Sequence, residues 1–118
     1  MPISCASEVV KNMGGNDEEV IMASGFAGGL GLSGNACGAL SAAIWMNSLR
    51  WLKNHDAKSS YTNPLATNTL KTFNEQTECE ISCKKITGSC FNSIKDHAEF
   101  IKYGGCKRLM TVLAESSV

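Results

Sequence analysis

Apolar residues recur along this chain at intervals of three and four, the spacing of one face of a helix. Cys5, Val9, Val10 and Met13 form the first such stripe, and Gly14-Gly15 closes it in the way a helix C-terminus is closed. Asn16-Asp17-Glu18-Glu19 reads as the next helix start, a capping side chain followed by acids where the dipole favours them. Val20, Ile21, Ser24 and Ala27 carry that stripe into a glycine-rich passage, GFAGGLGLSGN over 25–35. This passage is expected to be an ordered, tight turn, because glycine admits positive φ and close backbone approach. Ser33 or Asn35 can then cap a long helix over 36–53, near-continuously apolar at first and amphipathic later, which the pattern makes buried and central.

The rest of the chain repeats the same grammar. Residues 54–63 are polar and loop-like, and Pro64 suits the first turn of a helix through Leu65, Leu70 and Phe73. Shorter helices are predicted over 78–86, stopped by Gly88, and over 96–103, stopped by Gly104-Gly105. A last one runs from Cys106 through Leu109, Met110 and Leu113. Strand-like alternation is nowhere sustained. The pattern predicts an all-α, single-domain protein over 1–118, with five to seven helices in orthogonal or bundle-like packing around the buried central helix.

Composition narrows the chemistry. A chain of 118 residues can bury enough surface to fold without staples, so its six cysteines are not forced to be structural. Eleven basic and eleven acidic residues cancel, and no Lys/Arg stripe offers a nucleic-acid or anionic-membrane surface. The longest apolar run, 39–46, is too short to span a bilayer, and MPISCASEVV has neither the basic nor the apolar region of a signal peptide. A cytoplasmic protein without membrane insertion is therefore expected. In that reducing compartment, six cysteines point to catalysis, metal binding or redox sensing.

Gly29-Leu30-Gly31-Leu32-Ser33-Gly34 spells G-x-G-x-x-G, but a helical pattern precedes it where a dinucleotide site needs a strand. These glycines are expected to let two helices pack closely. Cys37 is the sharper signal. In the first turn of the central helix, unpaired N–H groups and the dipole would stabilise its thiolate and lower its pKa, and Gly38 would leave room for a partner. The same residue also reads as a buried cysteine against a close-packed neighbour helix. Cys79 and Cys83, four apart, are expected on one helix face, and Cys106 after Gly104-Gly105 shares the helix-start electrostatics of Cys37. No C-x-x-C occurs, so any site must gather thiols distant in sequence. His55 and His97 are expected to be solvated, as are Asp96, Glu99 and Lys102. Of Trp45 and Trp51, one is expected in the core and the other partly exposed.

Four segments together resemble a known family. They are Cys5-Ala6-Ser7-Glu8-Val9-Val10, the passage from Gly25-Phe26-Ala27-Gly28-Gly29 to Cys37-Gly38-Ala39, Cys83-Lys84-Lys85-Ile86-Thr87-Gly88, and Cys106 with its following helix. The chain is similar to the redox-active protein family named for its C_GCAxxG_C_C cysteine pattern, with Ala42 standing where the box has its last glycine. The resemblance implies an all-helical fold, a redox role and an association with transporters. It selects Cys5, Cys37, Cys83 and Cys106, leaving Cys79 and Cys90 as extras. The leading expectation is thiol–disulfide chemistry with a cellular thiol partner, Cys37 acting as nucleophile and Cys83, Cys106 or Cys5 resolving. The alternatives are a module in which the same four thiolates hold an iron–sulfur cluster or zinc, and a transporter-associated or homodimeric helical adaptor with structural cysteines.

Overall fold

A computed structural model describes residues 3–53 and 63–115. The expectations for His55 and for the polar stretch around it lie outside the described residues. Among the described residues seven α-helices follow in order: α1 (Cys5–Asn12), α2 (Asp17–Met22), α3 (Gly38–Leu52), α4 (Pro64–Thr77), α5 (Cys83–Thr87), α6 (Ile94–Lys102) and α7 (Lys107–Glu115). A 3-10 turn, Ala23–Phe26, continues α2. Among the described residues there is no strand, only an isolated antiparallel bridge between Ala36 and Ser82. The fold is all-α.

Most helices start where a side chain can replace the missing backbone acceptor. The Ser4 hydroxyl accepts the Ser7 N–H at 3.0 Å. Asn16 and Glu19 form a reciprocal capping box. Asn63 accepts from Ala66 ahead of Pro64, and Ser93 from Asp96. Three starts lack such a side-chain cap bond or have none assigned, and they are those of α3, α5 and α7, next to Cys37, Cys83 and Cys106.

The central helix is α3, packed against α1, α4 and α7. Its N-terminal half buries Leu40 together with Gly38, Ala39, Ala42 and Ala43, whose small size lets neighbouring helices approach closely. Ala6, Val9 and Val10 of α1, Phe73 of α4 and Leu113 of α7 are fully buried in the same core. Ala42, where the resemblance expects a glycine, is itself fully buried. Two polar ties fix the far end of α3. Asn47 donates to the Thr69 hydroxyl of α4 at 2.6 Å, and Arg50 donates to the Met13 carbonyl at the end of α1.

Several boundaries differ from expectation for physical reasons. The helix expected over 78–86 exists only in its second half. Glu78 and Cys79 take left-handed φ of 54° and 66°, which ends α4, and α5 starts only after the extended Ser82. Cys79 and Cys83 therefore do not share a helix face, and Cys79 is exposed. α3 begins at Gly38 and not at residue 36, because Ala36 is drawn into the bridge with Ser82. Trp45 and Trp51 are both half-buried, Trp45 meeting the Phe26 ring edge-on at 6.2 Å. Asp96, Glu99 and Lys102 are exposed, as expected. No helix among the described residues is long and apolar enough to cross a membrane.

Candidate functional site

The four cysteines that the resemblance selects each stand at the beginning of a helix. Cys5 is the first residue of α1, Cys37 the residue before α3, Cys83 the first of α5, and Cys106 the residue before α7. Folding brings these four starts together. A charge on any one sulfur of the four acts on the others, in all six pairings. Cys5, Cys37 and Cys83 are buried, and Cys106 is half-buried. All six cysteines of the chain are free thiols. Among the described residues, no three His, Cys, Asp or Glu side chains are placed to share a metal ion.

The glycine passage is the wall against which these thiols lie. Gly28, Gly29, Leu30, Gly31 and Leu32 all have positive φ, a left-handed turn that only glycine adopts without cost. The turn presents backbone, unscreened by side chains, to the cysteines. The Gly28 N–H faces the Cys5 sulfur. Gly29 lies so close to Cys83 that a Cβ on it would sit 2.7 Å from the cysteine's own Cβ. Gly38 packs directly on the Phe26 carbonyl, so the space expected beside it for a partner is already filled by the protein.

Cys37 and Cys83 are joined by backbone. The Cys37 N–H donates to Ile81 at 2.8 Å and the Cys83 N–H to Asn35 at 2.6 Å, which are the two bonds flanking the Ala36–Ser82 bridge. In that pairing the two cysteines are diagonal neighbours on one face, roughly 7–8 Å apart by the geometry of an antiparallel ladder.

The electrostatics correct the expected activation of Cys37. Burial raises its thiol above the ordinary value, outweighing the Leu40 and Ala39 N–H groups that face the sulfur without closing a cap bond. Burial also pushes Cys5 up to about 12 and Cys106 up to about 11, with the neighbouring thiols adding to both. Cys83 is raised by burial and by Cys37, and the Thr87 hydroxyl partly offsets this. At neutral pH the cluster therefore holds its protons. A charge on Cys37 adds to the rise at each of the other three.

His97 is not solvated. It is buried, and its Nε2 accepts the Cys5 N–H at 3.2 Å, holding the start of α1. Its position four residues before the buried Ile101, on the apolar stripe of α6, carried that information. The exposed Cys90 also reaches the site: its sulfur lies 3.8 Å from the Leu32 carbonyl, and its charge acts on Cys83.

These features define an all-α protein in which four dispersed cysteines converge at helix starts on a glycine turn. The chain belongs to the family described as "Putative redox-active protein (C_GCAxxG_C_C)", which matches residues 3–117. No curated protein and no solved structure matches it.

Proposed function

We propose that the protein is a thiol–disulfide redox protein with Cys37 as its reacting thiol and Cys83 as the partner that resolves it. The observation that carries this reading is the backbone bridge that sets Cys37 and Cys83 side by side within a cluster of four thiols. Family membership supports a redox role.

The chemistry balances as an exchange. Cys37 loses its proton to solvent, and its thiolate attacks one sulfur of a partner disulfide, displacing a partner thiolate and leaving a mixed disulfide. Cys83, deprotonated in turn, attacks the Cys37 sulfur and releases the second partner thiolate. The protein gives up two electrons and two protons, and the partner disulfide becomes two thiols. Cys106 is half-buried, and Cys5, Cys37 and Cys83 are buried. The partner in this reading is a cellular thiol–disulfide couple in a reducing compartment.

Equilibration in glutathione buffers of graded poise, followed by acid quench, alkylation and mass spectrometry, tests this. A one-disulfide species should appear at a defined poise and vanish in Cys37→Ser. If every cysteine remains alkylatable up to fully oxidising buffer, the protein has no such couple. Stoichiometric zinc or iron lost on Cys37→Ser would replace this reading with the metal-thiolate one.

A further inference from the structure

Cys90 stands outside the four-cysteine set but borders it. Of the six thiols only Cys79 and Cys90 are exposed, and of these two only Cys90 acts on a clustered thiol, Cys83. Cys90 and the start of α5 pack on the same residue, Gly34. The Cys90 thiol donates to the Leu32 carbonyl at 3.8 Å. A Cβ on Gly34 would lie 3.3 Å from the Cys90 sulfur and 3.2 Å from the Cβ of Lys84, the residue after Cys83. The Gly34 carbonyl accepts the Lys84 N–H at 3.1 Å, and the Asn35 carbonyl accepts the Cys83 N–H at 2.6 Å. Thr87 ties the intervening segment together, its hydroxyl lying 2.8 Å from the Cys83 carbonyl and 3.0 Å from that of Ser89. An exposed thiol is thus fixed beside the resolving one. A bridge between Cys37 and Cys83 would join two residues with 5% of their surface exposed, poorly presented to a reductant in solution.

We propose that Cys90 is a further catalytic thiol, which takes the Cys37–Cys83 disulfide over onto Cys83 and itself and presents it at the surface to a low-molecular-mass thiol. The inference rests on the thiol–disulfide function proposed above and supplies its return step. Cys90 loses its proton to solvent, and its thiolate attacks the Cys83 sulfur. The Cys83–Cys90 bond forms, the Cys37–Cys83 bond breaks, and Cys37 leaves as a thiolate that takes up a proton. The external thiol, deprotonated, then attacks the Cys90 sulfur and releases Cys83, which is protonated in turn. A second external thiolate displaces the first from Cys90. Two external thiols become one disulfide, their two electrons and two protons reach Cys37 and Cys83, and Cys90 ends as it began. Exposed disulfides are the more oxidising and labile ones, so Cys83–Cys90 stays the minor isomer and Cys37–Cys83 the resting oxidised form.

The test starts from the whole protein oxidised to the Cys37–Cys83 form, confirmed by peptide mapping, and mixed with excess reduced glutathione. Samples are acid-quenched over time, alkylated and read by mass spectrometry. In the wild type a Cys83–Cys90 isomer should appear transiently, and the first glutathione adduct should be on Cys90. Because access sets the rate of exchange, Cys90→Ser should lose its bridge roughly tenfold more slowly or worse. Cys79→Ser, which removes the other exposed thiol, should match the wild type. The wild-type adduct and isomer decide the matter even if a variant fails to fold. If glutathione first appears on Cys37 or Cys83, or if Cys90→Ser is reduced at the wild-type rate, this inference is overturned while the function proposed above stands. If no Cys37–Cys83 bridge forms under any oxidising condition, both fall together.

Discussion

Cys37 and Cys83, 46 positions apart in sequence, are held as diagonal neighbours by two backbone hydrogen bonds, Cys37 N–H to Ile81 and Cys83 N–H to Asn35. Neither bond involves the sulfurs, so the pairing survives whatever redox state the thiols adopt. A disulfide requires Cα atoms within about 6.8 Å, slightly less than the roughly 7–8 Å of a diagonal pair. The small movement needed falls to α5, which has five residues and lacks a side-chain cap.

Mild oxidation should therefore link Cys37 to Cys83 before any other pair. Peptide mapping of the non-reduced protein reads this directly. Cys79, exposed beyond the end of α4 and acting on none of the four clustered thiols, should stay unlinked in the monomer. A first-formed bridge that leaves out Cys37 would contradict the assignment of roles.

Alkylation should be graded by exposure and pH. Cys79 and Cys90 are exposed and should react first. Only thiolate reacts, and burial holds Cys37 above its ordinary 9.0, so its labelling should be slow at pH 7. Its rate should climb about tenfold per pH unit and still be climbing at pH 9, where an unperturbed thiol begins to level off. Time-resolved mass spectrometry at several pH values gives the profile. A Cys37 rate already flat near pH 7 would show an activated thiolate instead.

The same burial makes the fold sensitive to alkali. The Cys5 thiol sits at about 12 in the folded protein against 9.0 in an unfolded chain, so the folded state holds its proton more tightly. That contribution is complete below pH 9 and is lost as pH rises toward 12, where the unfolded chain ionises first. Cys106, at about 11, acts in the same direction. Unfolding free energy should fall between pH 9 and 11 by roughly 1.4 kcal/mol per pH unit for each such thiol. Urea titrations at pH 8 and pH 10.5 measure the loss, which should shrink in Cys5→Ala.

Periodicity announced the helices because their apolar stripes are local, and the family's four cysteines stood out because the glycine turn and helix starts around them are local too. What the sequence concealed was long-range. The bridge of Ala36 with Ser82 decides where α3 begins, and nothing near either residue marks it. The break after Thr77 rests on left-handed φ at Glu78 and Cys79, residues with no special preference for it. Burial of the cysteine cluster reversed the expected pKa of Cys37, since a helix start lowers a thiol only where solvation is retained. His97 was misplaced by weighing its charged neighbours Asp96 and Glu99 over its spacing to Ile101.

The closeness of the glycine passage to α3 can be tested with two alanines of opposite expected sign. Gly25 has open space where a Cβ would go and an ordinary φ, so Gly25→Ala should be neutral or stabilise by up to about 1 kcal/mol through the unfolded chain. Gly38 begins α3, where alanine is the better helix former by about 1 kcal/mol. Against that, its Cβ would drive into the Phe26 carbonyl, and backbone at the end of a 3-10 turn cannot rotate aside as a side chain would. Overpacking of this kind costs about 1–3 kcal/mol and should win. Gly38→Ala should thus destabilise the protein in urea while Gly25→Ala does not. Because relief requires α3 to move away from the turn, it should also slow formation of the Cys37–Cys83 disulfide. Equal stability of the two variants would mean that the helix start at Cys37 is not clamped by the glycine passage.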